Sequence, residues 1–458
     1  MLIINKRTNK LEPEEYHYEL QDVKGPNLFR DTFPYTEISK ISFNNEVVPM
    51  NVPDEIWITD TTFRDGQQAM TPFTVKQIVH LYKLLNRLGG ANGMIKQTEF
   101  FLYSDKDKEA VRKCQELGFD FPQITSWIRA TKEDFKLVKE MGIAETGILT
   151  SCSDYHIFLK LKKTRRQALD MYLDIVKAAL SENIIPRCHF EDITRADFYG
   201  FVVPFAVELM KLSKEAKMPI KIRACDTLGF GVSYAGAAMP RNVNGIMYGL
   251  THYAGVPSEY IEWHGHNDFY RAVSNSTNAW LYGCCGVNCS LLGIGERTGN
   301  TPVEALAIEY CALRGTPNGM DLSAITDIAR YFKEELGYNI PPNQPFVGEN
   351  FNMTKAGVHA DGLLKEEEIY NIFDTLSILD RSPEVEITDR AGLAGLAYWY
   401  NVHLQKLIKS ENKLDKNAPE IAKIKEEIDI LYKNGRVCAM STQELFELAK
   451  KHLPQYYK

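Results

Sequence analysis

The sequence contains no apolar run of membrane-spanning length, and Met1 to Lys10 alternates apolar with charged side chains, without the apolar centre of a secretory signal. Nor is there a basic excess: 53 Lys and Arg face 60 Asp and Glu, a net charge of −7 with no patch of the kind that attracts nucleic acid or acidic lipid. These absences predict a cytoplasmic protein with small-molecule partners, no nucleic acid and no membrane. Nine cysteines are present, an odd number, and no two pairs stand at zinc-finger spacing: Cys284 and Cys285 are adjacent, while Cys152 and Cys188 are isolated. Reduced, buried thiols are expected. Low-complexity tracts are missing as well.

What remains is an ordinary globular composition, 44% apolar and 25% charged, on a chain of 458 residues, enough for roughly three structural units. From residue 55 to about 292, short β-branched or aromatic runs alternate with longer amphipathic stretches, the pattern of repeated βα units. Eight runs are counted, at 55–60, 94–100, 122–127, 145–150, 186–191, 219–226, 260–264 and 287–292, and eight repeats predict a closed (β/α)8 TIM barrel of the α/β class. An open doubly wound sheet would need a glycine-rich turn after the first run. Here that run ends instead in Asp60-Thr61-Thr62-Phe63-Arg64-Asp65-Gly66, a charged loop with no phosphate cradle.

The barrel is assigned to residues 54–320. An N-terminal extension covers 1–53, with Phe29-Arg30-Asp31-Thr32-Phe33-Pro34-Tyr35 as its most distinctive stretch. Residues 321–400 are read as a linker, centred on the proline-rich Ile340-Pro341-Pro342-Asn343-Gln344-Pro345, and a first C-terminal subdomain; 401–458 are read as a helical subdomain. In the latter Ile421, Ile424, Ile428 and Leu431 recur at helical spacing, with Asn417 as N-cap and Gly435 as stop; Ser441-Thr442-Gln443-Glu444 has the form of a capping box.

The strongest chemical signal is Trp263-His264-Gly265-His266-Asn267-Asp268 at the end of the seventh run, because side chains two apart on a strand face the same way and both imidazoles can reach one ion. A single His-x-His serves packing or capping as readily as metal binding. Asp65 supplies the context: strands one and seven of a closed barrel are separated only by strand eight, and their carboxyl ends share one mouth. Asp65, His264 and His266 suit a divalent ion such as Mn2+, Mg2+, Co2+ or Zn2+ used as a Lewis acid.

Polar groups gather at the other run ends too: Glu99, then Asp154 and His156, then Glu191, Asp192, Thr194 and Arg195, then Asp226 and Thr227. Barrel enzymes carry their chemistry at the carboxyl ends of the strands, so this one-sided distribution predicts a catalytic mouth. The glycine-rich Gly293-Ile294-Gly295-Glu296-Arg297-Thr298-Gly299-Asn300 after the eighth run reads, from spacing alone, as a tight turn into a helix capped by Thr298 or Asn300.

Taken in order, Asp60-Thr61-Thr62-Phe63-Arg64-Asp65-Gly66-Gln67-Gln68, His264-Gly265-His266-Asn267-Asp268 and the 293–300 loop resemble the barrel metal-lyase superfamily that includes homocitrate and 2-isopropylmalate synthases. The resemblance spans roughly residues 54 to 370. It implies metal ligands at Asp65, His264 and His266, with Asn300 as a further ligand, and an arginine at Arg64 that stabilises negative charge on the oxygen of a 2-oxo acid. Gln68, Glu99, His156, Arg195 and Thr227 fall around the substrate and Glu191 among the catalytic positions, although Glu99 and Glu191 serve equally as salt-bridge partners. Thr354-Lys355-Ala356-Gly357-Val358-His359-Ala360-Asp361-Gly362 looks like the segment in which the synthases carry a histidine that deprotonates acetyl-CoA, which makes His359 the candidate base; Tyr370 is the tyrosine near it.

The loop after the eighth run carries Glu296-Arg297, the synthase form, where hydroxymethylglutaryl-CoA lyases have a cysteine. The extension and Cys225-Asp226-Thr227-Leu228-Gly229-Phe230-Gly231 are most similar to the Re-type citrate synthases of anaerobic bacteria, which implies acetyl-CoA and oxaloacetate as substrates, Mn2+ as the favoured ion and a homodimer. Arg195 is the expected partner for the distal carboxylate of oxaloacetate; Arg223 is the weaker candidate, because strand alternation turns it from the mouth. Homocitrate, 2-isopropylmalate or citramalate synthesis are the alternative activities, and a lyase or aldolase on the same barrel is the more distant one.

Overall fold

The computed structural model describes residues 2–5, 10–13, 18–404, 407, 409–410 and 412–457. A short antiparallel hairpin, β1 (Leu2–Asn5) with β2 (Lys10–Pro13), precedes eight parallel strands: β3 (Trp57–Asp60), β4 (Ile95–Phe100), β5 (Gln123–Ile128), β6 (Glu145–Ser151), β7 (Ile185–Glu191), β8 (Lys221–Asp226), β9 (Ile261–Gly265) and β10 (Gly286–Cys289). β10 pairs with both β9 and β3, which closes the barrel predicted from the eight runs. Among the described residues no helix is long and apolar enough to cross a membrane.

The helices between strands begin where the side chains supply the missing acceptors. Thr74 and Gln77 form a reciprocal capping box before Val75–Gly89, and Thr164 and Gln167 do the same before Arg165–Ser181. Each helix then buries an apolar stripe against the strands, as with Ile78, Leu81, Leu85 and Leu88 of the first.

The barrel interior is charged where such interiors are usually aliphatic. Arg187 of β7 donates to Glu99 of β4 (2.6 Å) and Glu145 of β6 (2.7 Å), and Arg223 of β8 donates to Glu99 (3.0 Å) and to Glu262 of β9. Bonds between strands that are not neighbours in the sheet must pass through the middle, so these side chains are the barrel's filling. The eighth strand ends earlier than its apolar run predicted. After Cys289 the chain turns through Leu292, whose φ is 55°, and Ser290 pairs with Pro302, which folds the 293–300 loop back over the strand ends.

The chain divides into two compact units, Met1–Asp321 and Leu322–Lys458. In the first, the segment from residue 18 to 53 lies along the barrel's loops: Arg165 donates to Gln21 O (3.1 Å), Tyr155 to Leu28 O (2.7 Å) and Arg241 to Lys40 O (2.6 Å). The second is mainly helical, with helices Ala324–Glu334, Gly357–Lys365, Gly392–His403, Pro419–Lys433 and Thr442–His452 and a two-stranded pair, β11 (Met353–Thr354) with β12 (Glu384–Val385). Its core gathers Leu396, Trp399, Tyr400, Ile421, Ile424, Ile428 and Leu445.

Three details of the second unit correct the sequence reading. The proline-rich stretch read as a linker is folded within the unit, where Pro341 and Pro342 carbonyls accept from Gln344 and Asn350 amides (2.9 and 2.7 Å). Helix Pro419–Lys433 is capped by Ala418 and not Asn417, because Pro419 occupies its first turn, where a missing N–H costs nothing. Leu431, assigned to its apolar face, is 40% exposed. The Ser441/Glu444 capping box forms as expected.

Candidate active site

β9 lifts His264 and, just past its end, His266 to the mouth, and the loop after β3 brings Asp65 to them. One donor atom from each of Asp65, His264 and His266 lies within 4.8 Å of the other two, and all three residues are buried. His264 Nε2 stands 3.2 Å from His266 Nε2; Asp65 Oδ2 is 3.8 Å from the first and 3.7 Å from the second. Donors each about 2.1 Å from a common ion sit on the order of 3–4 Å apart, so the spacing fits a divalent cation.

The tautomer of His264 is set from behind. Thr59 on β3 gives its hydroxyl proton to Glu262, so its oxygen accepts from Asn288 Nδ2 (3.0 Å), which leaves Asn288 Oδ1 to accept from His264 Nδ1 (2.8 Å). In the neutral ring Nε2 is then a bare lone pair aimed at the site. Burial pushes the His264 imidazolium down to about 3, with His266 adding to the effect, so the ring is neutral at physiological pH. For Asp65, burial raises the carboxyl, but the Arg64 guanidinium and the Asn300 amide outweigh it and hold it below its ordinary range.

Asp65 is further fixed by Arg64 (Nη1 to Oδ1, 3.1 Å), Gln68 (Nε2 to Oδ1, 3.0 Å) and Asn300 (Nδ2 to Oδ2, 2.8 Å). Asn300 does not cap a helix, as spacing alone suggested. The next helix, Val303–Arg314, starts at Pro302, and Asn300 instead leaves a buried Oδ1 without a protein partner beside the carboxylate. The loop can place it there because Gly299, with φ of 89°, lies so close to Gly293 O that an added Cβ would fall 2.0 Å from it.

A cavity of about 180 Å³ opens over this set, lined among others by Arg64, Gln68, Trp127, His189, Glu191, Thr227, Glu296 and Arg297. Arg64 donates to Glu99 through Nε (2.7 Å) and lies over the Trp127 ring at 5.8 Å. Burial alone would raise the Glu99 carboxyl, but the guanidiniums of Arg223, Arg64 and Arg187 hold it well below its ordinary range. Glu191 sits 3.0 Å from His156 Nδ1 and accepts from Ser151 Oγ; burial opposes ionisation, yet chiefly His156 keeps the carboxyl at about 2. Thr227 Oγ1 accepts from the Asp192 amide (2.8 Å).

Other expected residues are placed differently. Arg195 is not among the residues lining the cavity: Asp192 holds its guanidinium (2.8 Å) and Tyr155 stacks under it at 4.0 Å. Arg223 is sunk in the barrel, bonded to Glu99 and Glu262. The arginines that do line the cavity are Arg64 and Arg297, the latter held by Asp268 (2.8 Å). His359 and Tyr370 belong to the second unit, where their rings lie 4.6 Å apart.

His189 and Asn288 were missed by the sequence reading. Each stands at an inward position of a strand, and the pattern Arg187-x-His189-x-Glu191, three polar groups at period two, is the signal that would have found the first. All nine cysteines are unpaired; seven are buried as expected, whereas Cys311 is half-buried and Cys438 exposed.

A closed parallel barrel with a buried Asp/His/His set at the carboxyl ends of its strands defines a barrel protein built for a divalent ion. Residues 55–331 match the HMGL-like family, and the chain belongs to it. It is 57% identical over 96% of its length to a Syntrophus aciditrophicus protein named citrate (Re)-synthase, covering 70% of that protein, and 56% identical over 96% of its length to a Clostridium kluyveri protein of the same name, covering 97% of it. Among solved structures, a hydroxymethylglutaryl-CoA lyase from Pseudomonas aeruginosa superposes with a TM-score of 0.50 at 18% identity, over 64% of this chain and 96% of the lyase, a likeness of fold.

Proposed function

We infer that this chain is a citrate (Re)-synthase, joining acetyl-CoA to oxaloacetate and hydrolysing the resulting thioester to citrate and CoA. The observation that carries the reading is near-complete coverage at 56% identity, over 97% of the Clostridium kluyveri relative, with the buried Asp65/His264/His266 set in the barrel mouth.

When bound by Asp65, His264 and His266, with Asn300 beside them, a divalent ion (Mn2+ in this proposal; Co2+, Mg2+ or Zn2+ are the others the donor set accepts) supplies Lewis-acid polarisation of the keto carbonyl. Arg64, held by Glu99 and Asp65 at the cavity wall, stabilises the negative charge that develops on the keto oxygen. His359 takes a methyl proton from acetyl-CoA, with Tyr370 against its ring, and the methyl carbon bonds to the keto carbon while the carbonyl electron pair moves to oxygen, which is then protonated. Glu191, ionised and paired with His156, orients the reacting groups from the β7 end. Gln68 and Thr227 complete the surround, with Glu99 behind Arg64. Water then cleaves the citryl thioester and releases the CoA thiol. The protein acts in this proposal as a cytoplasmic homodimer.

The test is product identity. Purified protein with Mn2+, acetyl-CoA and oxaloacetate is expected to form citrate and free CoA in equal amounts. Cleavage of citrate or of a hydroxyacyl-CoA without condensation would move the protein to the lyase reading.

A further inference from the structure

The Asp65–Arg64–Glu99 chain that starts at the metal set ends at His189, whose Nε2 stands 3.5 Å from Glu99 Oε1. His189 is 3% exposed and lines the cavity, whereas Arg187 and Glu145, one layer deeper in the barrel, contribute nothing to its lining. The imidazole is therefore the boundary between the cavity and the charged filling beneath it. Its place is made by a glycine on the adjoining strand: a Cβ on Gly147 would fall 2.6 Å from His189 Nε2.

On the reading of the protein as a condensing enzyme for a 2-oxo diacid, we propose that His189 sets the length of acid accepted, stopping the chain at the four carbons of oxaloacetate. An acid with one more methylene, such as 2-oxoglutarate, extends its distal carboxylate into the space the imidazole fills. Directly below lies Arg187, two residues earlier on the same strand, whose guanidinium is held by Glu99 (2.6 Å) and Glu145 (2.7 Å). Removing the imidazole thus lengthens the pocket toward the ion-paired Arg187, making room for the extra methylene. Cys225, which also lines the cavity, has Arg223 two residues earlier on its own strand, but its thiol fills less space than an imidazole, so His189 is the side chain whose removal opens the larger volume.

The experiment compares kcat/KM for oxaloacetate and 2-oxoglutarate in the Mn2+ enzyme and in His189→Ser and His189→Asn. Discrimination over one methylene is typically 10–200-fold, so the ratio favouring oxaloacetate is expected to fall at least about tenfold in His189→Ser and less in the bulkier His189→Asn. A ratio that does not change, or equal loss on both acids, overturns the proposal. Should the serine variant not fold, His189→Asn and the wild-type protein still decide it: 2-oxoglutarate is expected to inhibit wild-type citrate formation at least about tenfold more weakly than a four-carbon diacid, and equal inhibition overturns the length limit. Absence of citrate formation by the wild type refutes the synthase reading itself, a separate outcome.

Discussion

His264 Nδ1 donates to Asn288 Oδ1 across 2.8 Å, and Asn288 is in turn held by Thr59 at 3.0 Å. The bond decides which imidazole nitrogen faces the cavity, so Asn288 acts on the ion through His264. Partners of this kind are typically worth about 10–100-fold in metal affinity. Asn288→Ala is expected to weaken Mn2+ binding by that factor in competition with a chromophoric chelator, with the circular dichroism spectrum unchanged. Unaltered affinity would mean the ring is oriented by packing alone.

Asp65→Ala and His266→Ala each remove a donor outright. Both variants are expected to lose bound metal and turnover together, and added Mn2+ should not restore the rate. Elemental analysis beside the steady-state assay checks the coupling; a variant that keeps its metal but not its activity would separate the two roles.

His189 bears on stability as well as specificity. Burial first, then the Arg223 charge, depresses its pKa from 6.5 to about 3. Below about 6.5 the unfolded chain therefore binds a proton that the folded one refuses until about 3, and stability falls as pH falls through that window, by about 1.4 kcal/mol per unit from this group. Denaturant titrations between pH 6 and 5, above the ordinary carboxyl range, are expected to show a shallower decline in His189→Gln than in the wild type.

In the second unit, Ser441 and Glu444 cap helix Thr442–His452 reciprocally. Ser441→Ala is expected to cost about 1 kcal/mol and to lower the melting temperature with no effect on metal affinity.

Much of this was legible in the chain. The eight runs foretold the barrel because parallel strands buried on both sides must be punctuated by amphipathic helices, and His264 and His266 declared themselves because period two puts them on one face. Asp65 followed from barrel closure. The charged filling was not legible: Arg187 and Glu99 are 88 residues apart and meet only through the barrel's interior, a relation no local pattern carries. Spacing alone made Asn300 a cap because it cannot show a loop turning back over its own strand, whereas the family resemblance put it among the metal positions. Arg195 looked free to bind a carboxylate until Asp192 and Tyr155, its near neighbours in sequence, were seen to hold it.

The most direct test of the account is CoA release from acetyl-CoA by the Mn2+ enzyme, measured as kcat/KM with oxaloacetate, 2-oxoglutarate, 2-oxoisovalerate and pyruvate in turn. The account predicts the largest value for oxaloacetate, with citrate as product. A value for 2-oxoglutarate, 2-oxoisovalerate or pyruvate equal to or above it would contradict the assignment.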